Sequence, residues 1–419
     1  MTWPTDMRRG LALRIYLAAS HLFPLIARPI LQRRLKRGKE PATRWTEKLG
    51  QNLAPRPQGK LIWLHAVGLG EVLSLRGLIA RMATAQPDLS FLVTSSTAAS
   101  AKVFAGNAPA RTIHQFLPLD APKYRRKFLD HFRPDLCIWA EQDLWPGMVS
   151  DLAARRIPQC VVAARMNEES YRSHQRASGL YRDLYAAMAM VTAQDERTAE
   201  HLQALGAQVS ISGSLKPAAP HLSCDETELA SITQQLADRI VWAVAPAHPQ
   251  DIELALAAHR KLRANNPAAL LIIAPRFPDA ELTLDVPRRS MKETPGPNDP
   301  IWLCDTFGDL GLIYRLADVA LIGGTFTDIE GHNPWEAVAL GCAILHGPRT
   351  ANFAADYAQL TAVEGATAVQ TAEDVVDALL NAPLMVRAAN AKGAIDLASS
   401  HTDKLATDML RILETPHAN

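Results

Sequence analysis

The residues of this 419-residue chain best suited to chemistry stand just after its apolar runs. Glu71 follows two glycines, Gly68 and Gly70, at a strand-to-helix turn. Glycines there let a second molecule approach the backbone closely. A carboxylate so placed can take a proton from an attacking hydroxyl, and it serves equally as an ordinary acid in the first turn of a helix. Lys216 and Arg276 each follow a further apolar run. They can neutralise a phosphate leaving group, and as isolated cations they are also plain surface charges. The stretch GGTFTDIEGHNPWEAVALG, residues 323–341, reads as a strand end, a polar loop and a short capped helix. Asn333 suits the N-cap, Pro334 the first helical position and Gly341 the C′ position. The free N–H groups of such a helix receive an anion, phosphate above all. Glu336 in its first turn can bind ribose hydroxyls, although a capped helix with a solvated Glu336 accounts for the same residues.

These groups need elements to hold them, and the chain alternates apolar runs with helical stretches in the βαβ manner. The first half carries candidate strands at 61–67, 90–96, 112–119, 136–141, 159–165, 190–194 and 209–213. The second carries them at 239–245, 270–276, 300–305, 319–325, 343–347 and 367–369. Near-continuous Val/Ile/Leu runs are what parallel strands covered on both faces require. Two Rossmann-like domains facing each other across a cleft are expected, an α/β architecture, with ligands at the carboxyl ends of the strands. Gly308, Asp309 and Glu141 stand at such ends too.

Composition narrows the function. The net charge of +1 and pI near 7.8 argue against a nucleic-acid protein. The five cysteines show no CxxC or Cys/His ligand spacing, so a reduced environment is expected. No HExxH, GxxxxGK[ST], GxSxG or full GxGxxG pattern occurs, which removes most support for zinc-protease, P-loop, serine-hydrolase and NAD-enzyme readings. Near the N-terminus Ile15 to Ala27 is mostly apolar and is followed by Arg28, Arg33, Arg34, Lys36, Arg37 and Lys39. That order is expected of a cytoplasm-facing membrane anchor. The stretch is short of the roughly 20 residues a span needs. A helix lying in the interface or a marginal span is expected, with packing on the domain as the alternative.

The motifs together resemble the Kdo transferases, the 3-deoxy-D-manno-octulosonic-acid transferases of lipopolysaccharide assembly. The likeness covers nearly everything after residue 45: EKLG (47–50), HAVGLGE (65–71), EQDLWPG (141–147), AARMNEES (163–170), GSLK (213–216), APR (274–276), the 323–341 stretch and GPRTANF (347–353). The resemblance implies a GT-B glycosyltransferase moving Kdo from CMP-Kdo to lipid A precursor at the cytoplasmic side of the inner membrane, with no metal ion and no cofactor beyond the donor. It implies an anchor at 1–40, an acceptor-binding domain at 41–215 and a CMP-sugar-binding domain at 216–419. It places Glu71 as proton acceptor, and Glu141 and Lys216 as transition-state stabilisers. Pro275, Arg276, Gly308, Asp309, Leu310, Asn333, Pro334, Trp335 and Glu336 fall on its CMP-binding segments. Departures stand at Gly68, at Ala245 to Asp251 and at Phe277, all where the family carries more polar groups or a different turn. They leave room for an altered donor, or for a catalytically weakened CMP-sugar-binding protein. A soluble nucleotide-sugar enzyme of the same fold, such as a UDP-sugar epimerase, is a further alternative, and it would have no use for the anchor.

Overall fold

A computed structural model gives the fold and describes residues 9–106, 108–141, 143–236, 239–278 and 282–415. Gln142 of the EQDLWPG motif lies outside the described residues. Two compact units emerge, the first comprising residues up to Ala219 together with those from Ala398 onward, the second Pro220–Leu397.

The first unit is built on a parallel sheet of β1 (Leu61–His65), β2 (Ser90–Ser95), β3 (Thr112–Phe116), β4 (Leu136–Ala140), β5 (Gln159–Ala164), β6 (Met190–Ala193) and β7 (Val209–Ile211), in the order β3-β2-β1-β4-β5-β6-β7. The second has β8 (Val241–Ala247), β9 (Leu270–Pro275), β10 (Ile301–Leu303), β11 (Val319–Ile322), β12 (Ala343–His346) and β13 (Ala366–Ala368), in the order β10-β9-β8-β11-β12-β13. The apolar runs explain both sheets, since β1, β4, β9 and β11 are buried at every residue. Tryptophans fill the first core, Trp63 lying 5.4 Å from Trp139 and 5.0 Å from Phe128. Each sheet reverses direction of winding between its first strand and its fourth, β1 beside β4 and β8 beside β11. Ligands of such folds bind outside the strand ends at that reversal.

The N-terminal segment is two helices, α1 (Leu11–Ser20) and α2 (Phe23–Lys36), where one apolar helix was expected. No single helix among the described residues is long and apolar enough to cross a membrane; these two pass only as a pair bent by 61°. One side packs, with Leu13, Ala27 and Leu31 buried, while Leu11, Ile15, Leu22, Leu25, Ile26 and Ile30 stay exposed. The segment is thus part of the first unit and no separate anchor domain.

The 216–419 span expected as one domain also divides. The last helix runs without interruption from Leu384 to Glu414. Its Ala391, Ala394 and Ile395 join the core of the second unit. Further along, Leu405, Met409, Leu410 and Leu413 join the core under β1 and β4. All five cysteines are free, and only Cys224 is not fully buried.

Candidate active site

In the first unit the reversal point is occupied by two acids. Glu71 lies in the first turn of α3 (Leu69–Ala85), which springs from the end of β1. Its Oε2 accepts the N–H groups of Val67 (2.9 Å) and Gly68 (3.1 Å), closing the turn on itself. Both bonds fall on one oxygen. Oε1 is therefore the oxygen left for an incoming hydroxyl, and the glycine at Gly68 keeps its surroundings clear, for a Cβ there would stand 3.3 Å from Oε1.

Glu141 follows β4, the strand beside β1, and its backbone is left-handed at φ 61° while its N–H donates to Val162 O (3.0 Å). Ala163 on the neighbouring strand is left-handed too, at φ 48°. Such conformations cost free energy in any residue but glycine, and they gather where geometry serves function. At the ends of the same two strands a buried His65 faces a partly exposed Asp143. His65 Nδ1 meets Thr94 Oγ1 at 2.8 Å, and its Nε2 faces Asp143 Oδ2 at 3.5 Å, long for a hydrogen bond. Burial alone would raise the Asp143 carboxyl; the His65 ring and the Trp145 indole outweigh it and hold it below the usual range.

Lys216 comes after β7, at the edge of the sheet, yet its turn is brought back to α3. Gly77 makes this possible, since a Cβ there would lie 2.2 Å from Ala218 O. Arg81 clamps the same carbonyl at 3.3 Å. The lysine's turn is thus docked on the helix that begins with Glu71.

In the second unit the reversal point belongs to a histidine pair. His248 opens α4 (Pro249–Asn265) after β8, and His332 lies in the loop after β11. Their rings stack with centroids 5.1 Å apart, and the two Nε2 atoms are 2.9 Å apart. One ring must therefore be neutral and accept. Burial, then the neighbouring His248 and Arg276, push His332 down to about 4. Burial and Arg276 also lower His248, against the pull of Asp251. Asp251 is fully buried and ties the two loops, accepting the N–H groups of His248 (2.9 Å) and Gly324 (2.7 Å). The stretch from Ala245 to Asp251, which looked depleted of polar groups, thus keeps its working ones.

Arg276, after β9, donates its backbone N–H to Ala247 O (2.8 Å) and lies over the exposed Phe277 ring, 5.5 Å from its centroid. Pro275 ends the strand that sets it there. Asn333 Oδ1 accepts the Trp335 N–H (3.1 Å) and its amide donates to Glu336 Oε1 (3.3 Å). Burial raises the Glu336 carboxyl and that amide bond offsets part of the rise. The expected helix is real but only four residues long, α6 (Trp335–Val338), preceded by Pro334. So short a helix carries little macrodipole, and anion attraction there has to come from individual N–H groups and Arg276. Gly341 closes it at φ 95°, with Cys342 N–H bonding Ala337 O at 3.1 Å. Trp335 is a buried anchor, its indole donating to Asp356 Oδ1 (2.7 Å).

Gly308 and Asp309 precede α5 (Leu310–Leu316). Asp309 pairs with Arg289 at 2.8 Å and accepts from Thr306, so its carboxylate braces the loop and does not cap the helix it precedes. His248, Asp251 and His332 were not among the expected site residues. The signal that finds them is position: each follows one of the two strands flanking the reversal.

A family model described as 3-deoxy-D-manno-octulosonic-acid transferase (kdotransferase) matches residues 43–219. A probable mitochondrial 3-deoxy-D-manno-octulosonic acid transferase of Arabidopsis thaliana is 31% identical over 425 residues, spanning 96% of this chain and 95% of its own. The enzyme of that name from Haemophilus influenzae is 30% identical, spanning 79% of this chain and 81% of its own. Among solved structures, a putative UDP-N-acetylglucosamine 2-epimerase from Listeria monocytogenes superposes with a TM-score of 0.56 at 13% identity, over 86% of this chain and 98% of that one. The glycotransferase of kitacinnamycin gives a TM-score of 0.50 at 15% identity, over 85% and 100%. At such identities these two likenesses speak for the fold alone. With sequence kinship along almost the whole length and two doubly wound units beneath it, the chain belongs to the Kdo transferases, glycosyltransferases of the GT-B fold.

Proposed function

We propose that the protein transfers Kdo from CMP-Kdo to lipid IVA, a lipid A precursor, with inversion and without a metal ion or other cofactor. The observation that carries this is Glu71 at the end of β1, held by two backbone N–H groups that both fall on Oε2 and leave Oε1 over. Oε1 takes the proton of an acceptor hydroxyl as that oxygen attacks the anomeric carbon of Kdo. The bond from that carbon to the phosphate oxygen breaks, and CMP departs with the electron pair. Lys216, Arg276 and the loop N–H groups offset the charge gathering on the phosphate, and Glu141, fixed by its backbone, balances the positive charge that develops on the sugar. In the donor unit the Gly308–Leu310 turn, Pro275–Arg276 and Asn333–Glu336 surround CMP, with Glu336 accepting from the ribose hydroxyls.

The exposed Leu11, Ile15, Leu22, Leu25, Ile26 and Ile30, next to a run of six basic residues from Arg28 to Lys39, suit a helix pair lying on the anionic cytoplasmic surface of the inner membrane. A second reading, a different CMP-activated 3-deoxy sugar as donor, is favoured by Phe277, an exposed ring beside Arg276 where the motif reading expects a titratable donor.

The test supplies in situ generated CMP-Kdo and lipid IVA to the purified full-length protein and reads the product by mass spectrometry. Wild type is expected to add Kdo. Glu71→Gln keeps an oxygen for the two N–H bonds, loses the base, and is expected to slow transfer about 10²–10⁴-fold. Equal rates would remove Glu71 as base. Product from a competing CMP-sugar and none from CMP-Kdo would favour the second reading.

A further inference from the structure

Within the first unit a cavity of about 500 Å³ lies between α2 and the strand ends. Its walls are apolar: Ile26, Ile30 and Leu31 from α2, Leu117 and Leu119 after β3, and Trp145 after β4. Three of its lining residues, Ile26, Ile30 and Arg34, are spaced four apart and share one face of α2. The same three are exposed, so the cavity opens through this stripe onto the apolar side of the helix pair, beside Leu22 and Leu25.

The polar end of the cavity carries two cations, Arg34 and Lys48, and two buried carboxylates, Glu40 and Asp120, the latter accepting from Tyr16. Glu40 is completely buried and is shared by Arg34 (2.6 Å) and Lys48 (2.7 Å), two cations on one carboxylate. Lys48 also donates to Ser96 O at 3.0 Å, which fixes it at the end of β2. A mostly apolar slot with a polar end, entered from the exposed stripe of α2, matches an acyl chain on a polar head. The size agrees: taking a methylene as about the size of a water, about 30 Å³, a cavity of about 500 Å³ holds one chain of up to about 17 carbons.

We propose that this cavity takes one acyl chain of the lipid acceptor, so that the protein measures the acceptor by chain as well as by sugar. The inference rests on the acceptor being a lipid, as proposed above. Chain uptake would draw the head group from the bilayer toward the strand ends.

Two variants fill the slot from opposite walls and keep it apolar, Ile30→Trp and Leu119→Trp. With the full-length protein, cis-parinaric acid fluorescence is expected to saturate at one probe per chain and to be displaced by tetradecanoate. Either variant that melts like wild type should weaken binding about tenfold or more. In transfer assays the same variant should raise KM about tenfold for the acylated acceptor, leave kcat unchanged, and leave turnover of the fully deacylated disaccharide as in wild type. Unsaturable probe binding in wild type, or equal changes with both acceptors, would overturn the proposal. Saturable, variant-sensitive probe binding by a protein that transfers Kdo to no lipid would uphold the cavity and sink the acceptor reading instead.

Discussion

At Glu141 the chain holds a non-glycine residue at φ 61° on the strand next to Glu71, a conformation whose cost is of order 1 kcal/mol or more. Glu141→Gly relieves that cost but adds the entropy of a freer unfolded chain. Its melting temperature should therefore stay within a few degrees of wild type while Kdo transfer falls, a separation that calorimetry and the mass assay together read out. If activity survives, the left-handed turn serves only the backbone. The histidine pair makes a different kind of statement. His332 titrates near 6.5 in an unfolded chain and near 4 here, so the folded state favours the neutral ring. Its contribution is complete above pH 6.5, shrinks as pH falls, and is gone below about 4. Acidification from pH 7 to 5 should thus lower the melting temperature of wild type more than that of His332→Asn. An equal drop in both would assign the acid sensitivity elsewhere, for instance to His259, which burial also holds at about 4.

At the scale of elements, close packing of strand ends decides whether these residues meet. A Cβ on Gly323 would lie 1.9 Å from Pro246 O, so the turns leaving β8 and β11 approach as closely as they do only because that position has no side chain. Gly323→Ala should cost about 1–3 kcal/mol and weaken CMP binding, measured by calorimetric titration, because it parts the loops bearing His248 and His332. Strands were the legible part of the sequence. Val241–Ala247 and Val319–Ile322, like the other runs, are short, apolar and bounded by polar turns, and a buried parallel strand leaves few other readings. Glu71 was legible for the same reason, being fixed to its strand end by local spacing. His248 and His332 were not, since they stand 84 residues apart and meet through the order of strands, which no local pattern encodes. The helix after Asn333 was legible as an element but not to the residue: it starts at Trp335 with Pro334 as its N-cap, one position later than expected, and ends at Val338 with Ala339 as its C-cap, so that Gly341 lies one residue beyond C′. Likewise α1 and α2 part just before Pro24, which sits in the first turn of α2 and cannot continue α1, whereas hydropathy sees a single apolar run.

For the whole molecule, the last helix changes what counts as a domain. The helix runs from Leu384 to Glu414 with no proline and passes straight through Gly393, which is why the return of the chain was invisible in sequence. A chain ending at Leu397 lacks Leu405, Met409, Leu410 and Leu413 and leaves that face of the first unit's core uncovered. It should be cut rapidly by a protease at sites within residues 61–215, and adding back a peptide of residues 398–415 should restore resistance; a truncated chain as resistant as wild type would contradict the assignment. The same feature sets an order of events during synthesis. The first sheet leaves the ribosome early, but the residues that finish its core emerge only after the second unit, roughly 180 residues later. At about 5–20 residues per second that is a wait on the order of 10–35 seconds. A cell making this protein thus carries an unfinished first unit on each nascent chain. Its exposed core face and the apolar residues of the α1–α2 pair are both surfaces that a chaperone would have to cover until the last helix arrives.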